Sequence, residues 1–363
     1  MNAQDDDARA RRGIALCRNR EWEQAQGILE PLVQAQPQRH IARLFLGLAQ
    51  LQIDRAEDGV RNCLRAVQQA HRRGHWHDHS TTPIELQTYV KAAVAAVADF
   101  QRTRLRAAIA RARAERGLSG TERIEGFVDG YVEGRLVNPA DPRQSPKTHL
   151  IPGVPASPWI DTALLPWVGA LERGWTAVRD EFLGIYAQAT GVESFLKFSS
   201  QTQIPKYLAG SRGTPSWDAY FFYRHGVRND ENCARCPQTA ALLDSLPLFR
   251  VPDFAPEICF SILSPGARIL PHRGDSNARV VVHLPLVVPE GCALRVAGDA
   301  RAWQEGRVMA FDDTYEHDAW NDSDRPRAIL LLDAWNPHLT ESEQQAFLAV
   351  AGEINRLGQT LAA

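Results

Sequence analysis

From Phe195 to Trp335 the sequence is a succession of short apolar, β-branched and aromatic runs: "FLKFSS", "WDAYFFYRHG", "EICFSILS", "ARVVVHLPLVV", "ALRVAG", "RVMAFDD", "HDAWN" and "AILLLDAW". Gly, Pro, Asn and Asp punctuate them. Short strands joined by turns therefore point to a sandwich or barrel, with a jelly roll as the natural member.

The front half follows a different rule. Residues 8 to about 70 repeat with a period of 34: Gly13 recurs as Gly47, Ile14 as Leu48, Ala25 as Gly59 and Leu29 as Cys63. That is the tetratricopeptide period, in which small residues let two antiparallel helices approach closely. Two such units bury too little alone, so the long apolar-periodic segment opened by Thr82-Pro83 is expected to stack on them. The loop "HRRGHWHDHS" lacks the spacing that fixes a metal tetrahedron. A proline-rich stretch from Asn138 to Pro158 reads as a connector. The expected class is α+β in two domains: 1–120 helical, 121–158 connector, and 159–363 a β-rich domain preceded by an amphipathic helix over about 161–190.

Composition excludes some roles for these 363 residues. A net charge of −2, from 41 basic and 43 acidic residues, argues against general nucleic-acid binding. No run approaches the roughly 18 apolar residues of a membrane span, and "MNAQDDDARARRG" does not resemble a secretory leader, so a soluble, cytoplasmic protein without membrane partners is expected. Six scattered cysteines, with only Cys233 and Cys236 close together, read as thiols rather than a disulfide framework.

Two histidines in the β-rich half stand out. His272 follows Pro271 at a strand end, and His317 begins "HDAWN" 45 residues later. In a rolled-up antiparallel sheet the two can face one another, and an imidazole pair with open positions suits Fe(II). Either alone reads equally well as a satisfied polar residue at a sheet edge. Arg327, heading "AILLLDAW", would carry a charge into an apolar barrel and needs an anion there. His283 and Ser261 lie in the same region and can add hydrogen bonds. By alternation His283 shares a face with Arg279 and Val281, leaving Val280, Val282 and Leu284 on the other.

The series "IPGVPASPW", "RNDENCARCPQTAALLDSLP", "SILSPGARILPHRGDSNARVVVHLPL", "WQEGRVMAFDDTYEHDAW" and "RAILLLDAWNP" resembles, in order, the aspartyl/asparaginyl β-hydroxylase family of Fe(II)- and 2-oxoglutarate-dependent dioxygenases. The likeness covers about 151–337. It implies a double-stranded β-helix, O2 as oxidant, His272 and His317 as iron ligands, and Ser261, His283 and Arg327 around 2-oxoglutarate. Trp217 falls where the family has a site tryptophan. Helical repeats ahead of the catalytic domain are similar to those of the animal enzymes, where they help enclose substrate.

Two departures qualify it. The position two beyond His272 is Gly274 and not the usual carboxylate, which matches the family's two-histidine metal site; Asp275 then stands as a water-mediated or substrate contact, or a ligand. Val281 replaces an arginine that reaches the cosubstrate in animal enzymes, with Arg279 as a substitute two residues away. The expected activity is hydroxylation at the β-carbon of Asp or Asn in a peptide or protein. The alternatives are hydroxylation of a small metabolite or carrier-bound residue, and a non-catalytic tetratricopeptide adaptor with a degenerate dioxygenase domain.

Overall fold

The computed structural model describes residues 3–134, 139–148, 150–188, 190–196 and 205–362. Part of the expected "FLKFSS" strand lies outside them. The chain forms two compact units, one from residues 1–111 with 349–363, the other from 112–348.

In the first unit, helices α1 (Ala3–Arg18) and α2 (Trp22–Ala35) form one hairpin, and α3 (His40–Leu51) and α4 (Ala56–His71) another; α5 spans Ile84–Arg116. The 34-residue correspondence extends to contacts. Gly13 faces the Leu29 side chain and Gly47 faces Cys63, each so closely that a Cβ would fall under 3 Å from its neighbour. Both hairpin turns pass through the left-handed region, at Arg20 (φ 63°) and Asp54 (φ 56°), again 34 positions apart. Leu29, Phe45, Val60 and Cys63 are buried in the resulting core, where Leu361 joins them.

The second unit holds α6 (Glu122–Glu133), α7 (Val168–Arg173), α8 (Trp175–Gln188), α9 (Asp230–Arg235) and α10 (Pro237–Asp244), while α11 covers Glu341–Ala362. Its strands are β1 (Trp159–Ile160), β2 (Glu193–Ser194), β3 (Leu208–Gly210), β4 (Trp217–Arg224), β5 (Val227–Arg228), β6 (Ile258–Leu263) and β7 (Ala267–His272). There follow β8 (Arg279–Val287), β9 (Cys292–Val296), β10 (Asp299–Ala302), β11 (Met309–Phe311), β12 (His317–Asn321) and β13 (Arg327–Trp335). They pair antiparallel in two sheets, ordered β1-β11-β8-β13-β6-β4-β2, with β5 on β4, and β10-β9-β12-β7-β3. This is the jelly roll expected from the strand pattern, in the double-stranded β-helix form that the family resemblance implies.

Alternation decides which side chains meet which layer. Val280, Val282 and Leu284 of β8, with Leu330 and Leu332 of β13 and Phe260 of β6, pack in one core with Leu171, Phe182 and Leu243 from the helices. The intervening residues Arg279, Val281, His283, Arg327, Ile329, Leu331 and Ser261 turn to the opposite face and line a cavity.

Three sequence expectations change. The helix expected over about 161–190 is two helices separated at Gly174, where a Cβ would lie 2.8 Å from Leu242. The segment 121–158 is more than a connector. Helix α6 buries Ile124, Phe127 and Val128 and anchors Arg123 to Glu343 at 2.6 Å. Nearer the sheets, prolines remove some donors from 141–148, but the amides of Ser145, Lys147 and Thr148 hydrogen-bond to the loops at 274–275 and 314. Finally, residues 349–363 fall in the helical unit, and the unit boundary at 111/112 precedes the expected one. All six cysteines are buried and unpaired to one another. No helix among the described residues is long and apolar enough to cross a membrane.

Candidate active site

His272 ends β7 and His317 opens β12, and the two are register partners across the ladder. Their ring centroids are 4.1 Å apart. Each imidazole is oriented by its own backbone: His272 Nδ1–H donates to Leu270 O (2.9 Å), and His317 Nδ1–H donates to Tyr315 O (3.0 Å). A carbonyl only accepts, so both protons sit on Nδ1 and both Nε2 lone pairs are free, the tautomer a metal ligand requires. Burial lowers both pKa values, that of His317 to about 3. Mutual repulsion with His272 adds to the shift at His317, and the nearby Lys147 ammonium contributes at both. The pair is thus neutral and ready to bind a cation.

Among the described residues, no three His, Cys, Asp or Glu side chains come together as metal ligands. Asp275 lines the cavity without joining the histidines in such a group. The reason for glycine at 274 is visible: a Cβ there would lie 2.0 Å from an Asp313 carboxylate oxygen. The carboxylate of Asp313, carried on the loop before His317, takes the space a side chain at 274 would need. Its Oδ1 is buried with no hydrogen-bond partner.

At the enclosed end of the cavity lies Arg327, only 1% exposed. No carboxylate among the described residues pairs with it. Nη1 reaches Ser261 O at 3.5 Å, Nε has no partner, and the guanidinium lies 4.9 Å from the Trp303 ring centroid. Desolvation lowers its pKa to about 10. A buried guanidinium left this way calls for an anion. Two further donors lie in the same cavity. Trp303 Nε1–H donates to His283 Nδ1 (3.3 Å), so the proton of this strongly desolvated, neutral imidazole sits on Nε2. Trp217 Nε1–H donates to Ser261 Oγ (2.9 Å), leaving the Ser261 hydroxyl proton free to donate. Trp217 also stacks on Phe195, with centroids 3.9 Å apart.

Arg279 requires a correction. It lies on the expected face, but Nη1 bonds Asp333 Oδ1 and Nη2 bonds Asp313 Oδ2, each at 2.8 Å. Two buried carboxylates claim the guanidinium that was to replace the arginine missing at Val281. Arg279 ties Asp313 to Asp333 in the cavity wall, with one terminal nitrogen on each. The other expected residues, His272, His317, Arg327, Ser261, His283 and Trp217, all line one cavity. Sequence reasoning missed Asp313, Asp333, Trp303 and Lys147. The doublet Asp312-Asp313 before His317 and an aspartate inside an apolar strand were the available signals.

Residues 172–337 match the family model described as Aspartyl/Asparaginyl beta-hydroxylase. Human aspartyl/asparaginyl beta-hydroxylase is 34% identical over 202 residues, 54% of this chain and 25% of that protein. Human aspartate beta-hydroxylase domain-containing protein 2 is 32% identical over 219 residues, covering 59% and 57%. The ornithine lipid ester-linked acyl 2-hydroxylase of Rhizobium tropici is 33% identical over 183 residues, covering 50% and 61%. The matches thus span between a quarter and about three-fifths of these relatives.

Proposed function

We propose, from the match of residues 172–337 to the aspartyl/asparaginyl β-hydroxylase family model, that the chain is an Fe(II)- and 2-oxoglutarate-dependent hydroxylase. Its preferred target is the β-carbon of Asp or Asn in a peptide or protein. One observation carries this reading: two neutral imidazoles with free Nε2 atoms share a cavity with a buried guanidinium that no carboxylate among the described residues neutralises.

The donor set fits the absent groups. His272 and His317 would hold iron through Nε2, and Arg327, with Ser261 Oγ–H and His283 Nε2–H, would hold a carboxylate of 2-oxoglutarate. Bound iron would supply oxidation of an unactivated C–H by O2, coupled to conversion of 2-oxoglutarate to succinate and CO2. The protein's share is placement. Trp303 and Trp217 set the donor directions of His283 and Ser261 through their N–H groups. Val281, Leu294, Phe311, Ile329 and Leu331 line the same cavity and limit water around the reacting C–H. Concave faces of the helical repeats would suit an extended peptide.

The relation to a lipid acyl hydroxylase favours a second reading, in which the hydroxylated carbon belongs to an acyl chain or small metabolite. The test is anaerobic loading with Fe(II) and 2-oxoglutarate, then oxygen and a peptide library, followed by mass spectrometry for a gain of one oxygen. His272→Ala and His317→Ala should each abolish succinate formation. Near-normal turnover by either variant with tightly held iron would remove that histidine from the metal site.

A further inference from the structure

We propose that Lys147 is a specificity-determining residue of this site, whose ammonium selects a substrate carrying a carboxylate next to the reacting carbon. The inference rests on the hydroxylase reading above and names the substrate's charge.

The segment that delivers Lys147 is stitched to both histidine-bearing loops. Ser145 N–H donates to Thr314 O (3.0 Å), and Gln144 pairs with Tyr315 while its Nε2 reaches buried Asp312 at 2.8 Å. Lys147 N–H donates to Gly274 O (2.9 Å); Thr148 donates to Asp275 O through both N–H (3.1 Å) and Oγ1 (2.7 Å). Pro142 and Pro146 restrict the backbone between these ties. A strap held this way fixes the root of the Lys147 side chain at the rim of the cavity it lines.

The other cations lining that cavity are paired with carboxylates or, for Arg327, set at its enclosed end. Arg279 is bound by Asp313 and Asp333, and Arg273 lies 3.3 Å from Glu316. Arg327 faces Ser261 and Trp303 at the enclosed end. Among the described residues the Lys147 ammonium has no hydrogen-bond or ion-pair partner, and it is exposed. Asp275 lines the same cavity with the opposite charge, so a general field at the mouth is close to balanced and discrimination requires direct contact. A hydrated ammonium covered by bound substrate gains most from a carboxylate and less from the isosteric amide.

The experiment compares wild type, Lys147→Gln, Lys147→Arg and Lys147→Glu on two degenerate peptide libraries, one centred on Asp and one on Asn, with Fe(II), 2-oxoglutarate and O2. Wild type should prefer the Asp library. Lys147→Gln should lower the Asp-to-Asn ratio about tenfold, mainly through KM, as expected for losing one charge-assisted contact. Lys147→Arg should retain most of the preference and Lys147→Glu should reverse it. A parallel arm without oxygen reads enrichment of each library on the protein and should show the same shift. An unchanged ratio, or equal losses on both libraries, would reduce Lys147 to a structural part of the strap. Succinate formation without modification of either wild-type library would end the peptide reading and this assignment together; no succinate under any condition would end the hydroxylase reading itself.

Discussion

Gly274 and Asp313 occupy one another's space: the hydrogen that glycine carries in place of a Cβ is what lets the Asp313 carboxylate reach Arg279 at 2.8 Å. The backbone joins in, with Gly274 N–H donating to Asp313 O at 2.6 Å. Gly274→Ala therefore has to push Asp313 out of its pair with Arg279. A loss of about 1–3 kcal/mol is expected, the usual cost of overpacking, read as a lower denaturant midpoint. Asp313→Ala alone should also destabilise, and the double variant should cost less than the sum, because the collision is gone. Strict additivity would mean that the contact does not constrain the site.

The buried histidine pair predicts a pH response in metal binding. Protons compete with a metal for Nε2, and an exposed imidazole loses that competition as pH falls through about 6.5. Here burial depresses the folded pKa of both groups, to about 3 for His317. Competition should thus set in at a lower pH than for free imidazoles, and at His317 far lower. Titration with Mn(II) at about pH 7.5, 6.5 and 5.5 should give a nearly level affinity. A fall of about threefold from pH 7.5 to 6.5 and about thirtyfold from 6.5 to 5.5, the response of two free imidazoles of pKa about 6.5, would place both in water.

Arg327 predicts a separation of cosubstrate from metal. Lysine keeps the charge but loses the planar fork that can grip a carboxylate bidentately. Arg327→Lys should raise the 2-oxoglutarate concentration needed for half-maximal turnover by about tenfold or more, with little loss of iron measured after desalting. An unchanged requirement would take Arg327 out of the carboxylate pocket.

How far the sequence could be read follows from the range of each interaction. Period-two alternation in "ARVVVHLPLVV" and "AILLLDAW" determined which residues face the helices and which face the cavity, because neighbouring Cβ atoms in a strand must point oppositely. The 34-residue period likewise identified the small positions Gly13 and Gly47 and the residues Leu29 and Cys63 that they meet. Both histidines, Arg327, Ser261 and His283 were visible as polar residues in apolar strands. Tertiary structure alone decided who their partners are. Arg279 was legible as a cavity-facing cation, yet its engagement depends on Asp313 and Asp333, 34 and 54 residues away. The proline-rich stretch looked like a connector because its sequence shows only missing donors, while the acceptors for the amides of Ser145, Lys147 and Thr148 lie on loops more than 120 residues later. The residues 349–363 carry no local sign of their place in the helical unit. A strand's faces follow from stereochemistry within a few bonds, but the pairing of a buried charge follows from how the whole chain closes.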